Sequence, residues 1–169
     1  MLKYQQVFTF TQFCVILTHS INPFHKLDLG KDNHIMKRMY YLILPIITII
    51  LELLPYGAIC NFSNPDGEPW RKTYSYFSLT PFGYANFAPF LTAVISCLIF
   101  VLLAIFCVKG NKKLAIIAKN ASYAAAVISL CPLALGASYF SLVAVLITLS
   151  LIAEATLLQI KIKKKAEKA

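Results

Sequence analysis

Apolar residues fill four long runs of the chain, about 40–59, 87–108, 114–133 and 139–160, and polar residues collect between them. Each run is close to the ~20 residues an α-helix needs to cross ~30 Å of hydrocarbon at 1.5 Å per residue. The pattern predicts an all-α integral membrane protein with four transmembrane helices. The links Lys109-Gly110-Asn111-Lys112-Lys113 and Leu135-Gly136-Ala137-Ser138 are tight. Short links force antiparallel neighbours, so the expected architecture is an up-and-down bundle closed by the first helix. In the third run Ala118, Ser122 and Ala126, and likewise Ala121, Ala125 and Ser129, recur at every fourth position, and such small rows let backbones approach closely inside a bundle.

Pro55 and Gly57 interrupt the first run, which predicts that its far end unwinds. The long loop that follows, Cys60 to Asn86, is rich in aromatic residues. Its turn signal Asn64-Pro65-Asp66-Gly67 separates two short extended stretches, the second alternating through Lys72 to Phe77, and predicts a small β-hairpin. Trp70, Tyr74, Tyr76 and Phe77 form a candidate binding surface on this loop. Aromatic residues also prefer a membrane interface, and that preference alone accounts for their presence.

Charge orients the bundle. Every Lys and Arg except Arg71 and Lys72 falls before the first run, at the link or start of the third, or after the fourth. The positive-inside rule makes that side cytoplasmic, with both termini inside and the aromatic loop extracytoplasmic, most simply in the plasma membrane. With 169 residues, 59% of them hydrophobic, the chain has too little polar sequence for a second, soluble domain. The formal charge of +9 is explained by attraction of juxtamembrane lysines to anionic lipid, so nucleic acid is not an expected partner.

Residues 1–35 differ from the transmembrane domain, 36–169. Val7, Phe10, Phe13, Cys14, Leu17 and Ile21 follow helical spacing, consistent with an amphipathic segment ended at Asn22-Pro23. The alternative is an over-extended translation start, since Met36-Lys37-Arg38 has the character of a membrane protein's N-terminus. Either way the stretch is expected to be poorly ordered.

Ionisable groups inside hydrocarbon cost several kcal/mol and call for a partner or a purpose. Glu52 lies deep in the first run, on a stripe with Thr48 and Tyr56, and this stripe is the candidate intramembrane polar site. Its structural reading is a carboxyl bonded to hydroxyls or to amides freed by Pro55 and Gly57; its functional reading is a cation or proton site. Thr92, Ser96 and Asn86 are the candidates in the second run to converge on it. Lys119 and Glu154 fall at one depth on adjacent antiparallel helices and form a candidate ion pair. Cys60 and Cys131 both map to outer ends of runs and form a candidate disulfide.

Enzyme signatures do not appear. His19, His25 and His34 lie in the N-terminal extension at no ligand spacing, and there is no CxxC, GxSxG or Gly-rich phosphate loop. No metal or other cofactor is expected. Four runs with the long loop after the first give a layout similar in topology to claudin-like proteins, whose Trp…Gly-Leu-Trp…Cys…Cys loop pattern is absent. The expected function is therefore that of a small, non-enzymatic membrane protein, an accessory subunit or homo-oligomer whose partners are the bilayer and another membrane protein or itself. The alternative is a small transporter or channel using Glu52.

Overall fold

A computed structural model describes residues 32–62, 70–83 and 86–166, with side chains from 39 to 164 in those ranges. The extension up to residue 31 and the turn Asn64-Pro65-Asp66-Gly67 lie outside the described residues. The chain divides into two compact units, Met1–Tyr40 and Tyr41–Ala169. In the first, the described residues begin helix α1, Asp32–Leu53. All that follows concerns the second.

Three segments are long and apolar enough to cross a membrane. After the one-turn α2 (Thr80–Gly83), they are α3 (Ala88–Lys109), α4 (Lys112–Ser129) continued by the one-turn α5 (Cys131–Ala134), and most of α6 (Leu142–Ala166). Pro89 opens α3, where a missing N–H costs nothing, and Gly110 closes it in the left-handed conformation, its N–H donating to Phe106 O. Asn111 then caps α4 by accepting from the Lys113 N–H at 3.0 Å. Cap and cap are adjacent, so α3 and α4 turn back on each other. α4 and α6 do the same through Gly136, whose φ of 131° favours glycine, and a 3₁₀ turn at Ala137–Tyr139.

The small residues of α4 face inward: Ala118, Ser122, Ala125, Ala126 and Ser129 are buried against a core that includes Ile99, Leu103, Ile147, Leu151 and Leu158. Large apolar residues such as Leu98, Ile117, Val127, Leu142 and Leu149 point outward. An outer surface of this kind suits lipid rather than water.

The apolar part of α1, Met39–Leu53, is shorter than the other three. It stops at Leu53 rather than at Ile59, because Pro55 supplies no N–H to continue the helix and the chain passes directly into a strand. That strand, β1 (Ala58–Phe62), pairs antiparallel with β2 (Trp70–Tyr74) in the register Ala58 to Tyr74 and Phe62 to Trp70. The hairpin is rooted in the bundle at three points. Ala58 bridges Phe140, Tyr76 N–H donates to Glu52 O at 3.0 Å, and Ser141 Oγ donates to Gly57 O at 2.6 Å. Ser141 Oγ also accepts from the Ala144 N–H, capping the first turn of α6.

Candidate functional site

Side-chain hydroxyls and two carboxyls line the interior where α1, α3, α4 and α6 meet. Glu52, in the last turn of α1, is 0% exposed. Its Oε1 accepts from Ser96 Oγ of α3 at 2.7 Å, and its Oε2 has no partner among the described residues. Glu154, at mid-length in α6, is 2% exposed. Its Oε1 accepts from Ser122 Oγ of α4 at 3.2 Å, and its Oε2 likewise has none.

Between the carboxyls, Thr48 Oγ1 and Ser150 Oγ lie 2.8 Å apart and join α1 to α6. Each hydroxyl also bonds a carbonyl of its own helix, Thr48 that of Leu44 and Ser150 that of Ile147. Ser129 and Thr148 repeat the arrangement between α4 and α6, at 2.7 Å. In a low-dielectric interior these contacts hold the helices in register, since a slip would cost each hydroxyl its interhelical partner and leave it only the carbonyl of its own helix.

Glu154, Tyr76 and Cys97 all lie within electrostatic reach of the Glu52 carboxyl. Tyr76 belongs to the segment after β2 and is 1% exposed. Burial, and secondarily the charge of Glu52, push its phenol above the ordinary range, so it faces the site as a neutral group.

The structure rearranges several sequence expectations. Thr48 and Glu52 are interior and share a face, but Tyr56 is 61% exposed, because it follows the helix end and no longer obeys its spacing. Ser96 converges on Glu52 as anticipated; Thr92 instead donates to Ala88 O within its own helix, and Asn86 is buried with its Nδ2 unpartnered among the described residues. The ion pair between Lys119 and Glu154 is not made: Ser122 takes one Glu154 oxygen and the other is unpartnered. Ser122, not Lys119, is on the α4 face turned toward α6, and Lys119 is only half-buried.

The loop surface is also redistributed. Trp70 is 61% exposed, and Lys72 Nζ sits 5.3 Å from its ring centroid and 5.7 Å from that of Tyr74. Tyr74 and Phe77 are half-buried, whereas Tyr76 belongs to the core. Cys60 and Cys131 are free thiols, Cys60 buried in β1 and Cys131 exposed at the start of α5.

Sequence reasoning placed Ser122 and Ser129 only as small packing residues, not as hydrogen-bonding partners, and missed Ser150 and Thr148. Lone hydroxyls in apolar helices carry little signal. One clue was present: Thr48 and Glu52 are spaced four apart, and so are Ser150 and Glu154. Comparison with protein families, with curated proteins and with solved structures finds no match for this chain.

Proposed function

We propose that this chain is a small transporter or channel of four spans in the plasma membrane, both termini cytoplasmic, in which Glu52 is an intramembrane cation or proton site. The observation that carries the reading is the Glu52 carboxyl itself, fully buried, held on one oxygen by Ser96 and unpartnered on the other among the described residues. An acid in such a place is costly to keep, and an intramembrane ionisable group by default marks an ion or proton pathway. The basic residues at one set of helix ends support the orientation. α1 acts as the fourth span, its apolar stretch prolonged by the buried hairpin root Gly57–Cys60.

The test is flux through the purified protein in lipid vesicles. Glu52→Gln keeps the shape and a hydrogen-bonding acceptor for Ser96 while removing the ionisable group. Loss of proton or monovalent-cation flux, with unchanged helical content and elution profile, is the expected result; undiminished flux in the variant refutes the reading.

A second reading rests on the hairpin. The exposed Trp70 ring, with Lys72 beside it, presents an aromatic face away from the core, and exposed Trp is enriched where proteins bind one another. It supports a non-enzymatic accessory subunit or homo-oligomer. Isolation from native membranes in mild detergent tests it, since a stoichiometric companion, or a second copy, must then accompany the chain and be lost on Trp70→Ala.

A further inference from the structure

Building on the proposed role of Glu52, we propose that the ligand is a proton and that Glu154 is its second station, reached through the hydroxyl pair of Thr48 and Ser150. The geometry is a mirrored one. On α1, Thr48 precedes Glu52 by four residues, and on the antiparallel α6, Ser150 precedes Glu154 by four. Residues so spaced are neighbours on one helix face. The 2.8 Å contact between Thr48 and Ser150 joins the two faces at their centre. The four groups therefore run along the bundle, the carboxyls one turn to either side of the hydroxyls and so ~12 Å apart along the axis at 1.5 Å per residue.

Three observations favour a proton over a metal ion. Each carboxyl has one oxygen accepting a hydroxyl proton and one unpartnered among the described residues, which suits the neutral acid, since an unpaired buried charge costs far more than an unpaired O–H. The contact at the centre offers two neutral hydroxyl oxygens, far short of the roughly six that a hard cation takes. Among the described residues no group of three His, Cys, Asp or Glu side chains gathers to hold a metal.

Among the described residues, the groups facing the path are Ser96 and Cys97 from α3, Tyr76 from the post-hairpin segment and Ser122 from α4, with the half-buried Lys119 turned off that face. On α6 itself, Lys161 is turned to the rings of Tyr41 and Phe106. In the transfer, the Glu52 side chain turns its protonated oxygen, unpartnered at rest among the described residues, toward Thr48, and its O–H bond breaks as one forms to Thr48 Oγ1. The Thr48 hydroxyl swings its own proton from Leu44 O to Ser150 Oγ, and the Ser150 hydroxyl swings its own from Ile147 O to the unpartnered oxygen of Glu154. One proton has moved, leaving Glu52 a carboxylate and Glu154 an acid, with both hydroxyls restored.

The experiment reconstitutes the full chain in vesicles with a trapped pH dye and clamps the potential. Thr48→Val combined with Ser150→Ala is expected to slow proton flux by ~100-fold or more, the usual scale of a lost proton-transfer partner. Glu154→Gln is expected to abolish it. Thr156→Val, which removes an exposed hydroxyl bonded only to its own helix, leaves it unchanged. Flux at the unmodified rate in either the double variant or Glu154→Gln overturns the relay while leaving Glu52 as a site, whereas undiminished flux in Glu52→Gln refutes the site itself. Infrared titration in lipid covers variants that fold poorly. One protonated-carboxyl band must vanish in Glu52→Gln and another in Glu154→Gln, and each surviving band must titrate at an altered pH, because coupled acids share their titration. Independent titration of the two bands overturns the relay as well.

Discussion

Gly57 and Tyr76 are in direct apposition: a Cβ placed on Gly57 would stand 2.7 Å from Tyr76 Cδ1 and 3.0 Å from Cε1. The ring is buried and its own N–H is tied to Glu52 O, so it has little freedom to withdraw. Glycine at 57 is thus what lets the segment after β2 close over the end of α1.

Gly57→Ala should therefore destabilise the fold by ~1–3 kcal/mol, the usual cost of overpacking a well-filled interior. Gly83, with nothing within 4 Å of an added Cβ, provides the comparison, and Gly83→Ala should be close to neutral. Thermal unfolding in a fixed detergent reads both. Equal midpoints for the two variants would show that the ring moves aside freely.

Tyr76 gives the fold an alkaline limit. Its buried phenol holds its proton more tightly in the folded protein than in the unfolded chain. Its contribution is therefore fully present below the ordinary value of 10.0 and declines as pH rises beyond it. Tyr76→Phe removes the titrating group and should flatten the fall of stability above that pH, whatever it does to stability at neutrality. A variant whose alkaline slope matches the wild type excludes Tyr76 as the cause.

Much of the frame was legible in the sequence because lipid imposes it. Three of the four apolar runs are helices of the expected length, and Asn111 and Gly110 mark the turn between two of them. Pro55 announced the end of α1, and the Asn-Pro-Asp-Gly signal announced the hairpin, whose strands the structure places at Ala58–Phe62 and Trp70–Tyr74. The site was legible only in part. Glu52 declares itself by charge, but which hydroxyl meets it depends on helix rotation, and a rotation of one residue exchanges Lys119 for a neighbour. Hence Ser122 reaches Glu154 where depth alone suggested the lysine. Tyr56 and Tyr76 show the same limit, since whether an aromatic residue just beyond a helix end is exposed or buried is decided by the path of the loop.

Cys60 and Cys131 should behave differently toward an alkylating reagent. Both are free, so both should label without reductant, Cys131 well before Cys60. Cys60 is enclosed in β1, where its sulfur meets a reagent only when the hairpin root opens. Peptide mapping over a time course checks this. Simultaneous labelling would mean that the hairpin root opens readily.

Lys161 fastens the other end of α1. Its Nζ lies 3.7 Å from the Tyr41 ring centroid and 4.9 Å from that of Phe106, linking α6 to α1 and α3. Lys161→Met retains the apolar stem and removes the cation. It should lower stability by ~0.5–2 kcal/mol, the range for a cation over aromatic faces, and Lys161→Arg should recover most of the loss. Unfolding midpoints that do not separate Met from Arg would assign the contact to packing alone.

Ser122 and Glu154 allow stability and transport to be separated. Ser122→Ala removes the hydrogen-bond donor from a buried carboxyl whose other oxygen already lacks a partner, and should cost ~1–3 kcal/mol. Removing both polar groups together, as in Ser122→Ala with Glu154→Leu, takes away the half-satisfied carboxyl along with its donor. The pair should then be less destabilised than the sum of its single variants, by ~0.5–3 kcal/mol in a double-mutant cycle, since the residues are in contact. If Glu154 only locked α4 against α6, the double variant would recover function along with stability. If Glu154 carries the proton, the same variant folds well and transports nothing. A well-folded double variant with wild-type proton flux would therefore reduce Glu154 to a structural carboxyl.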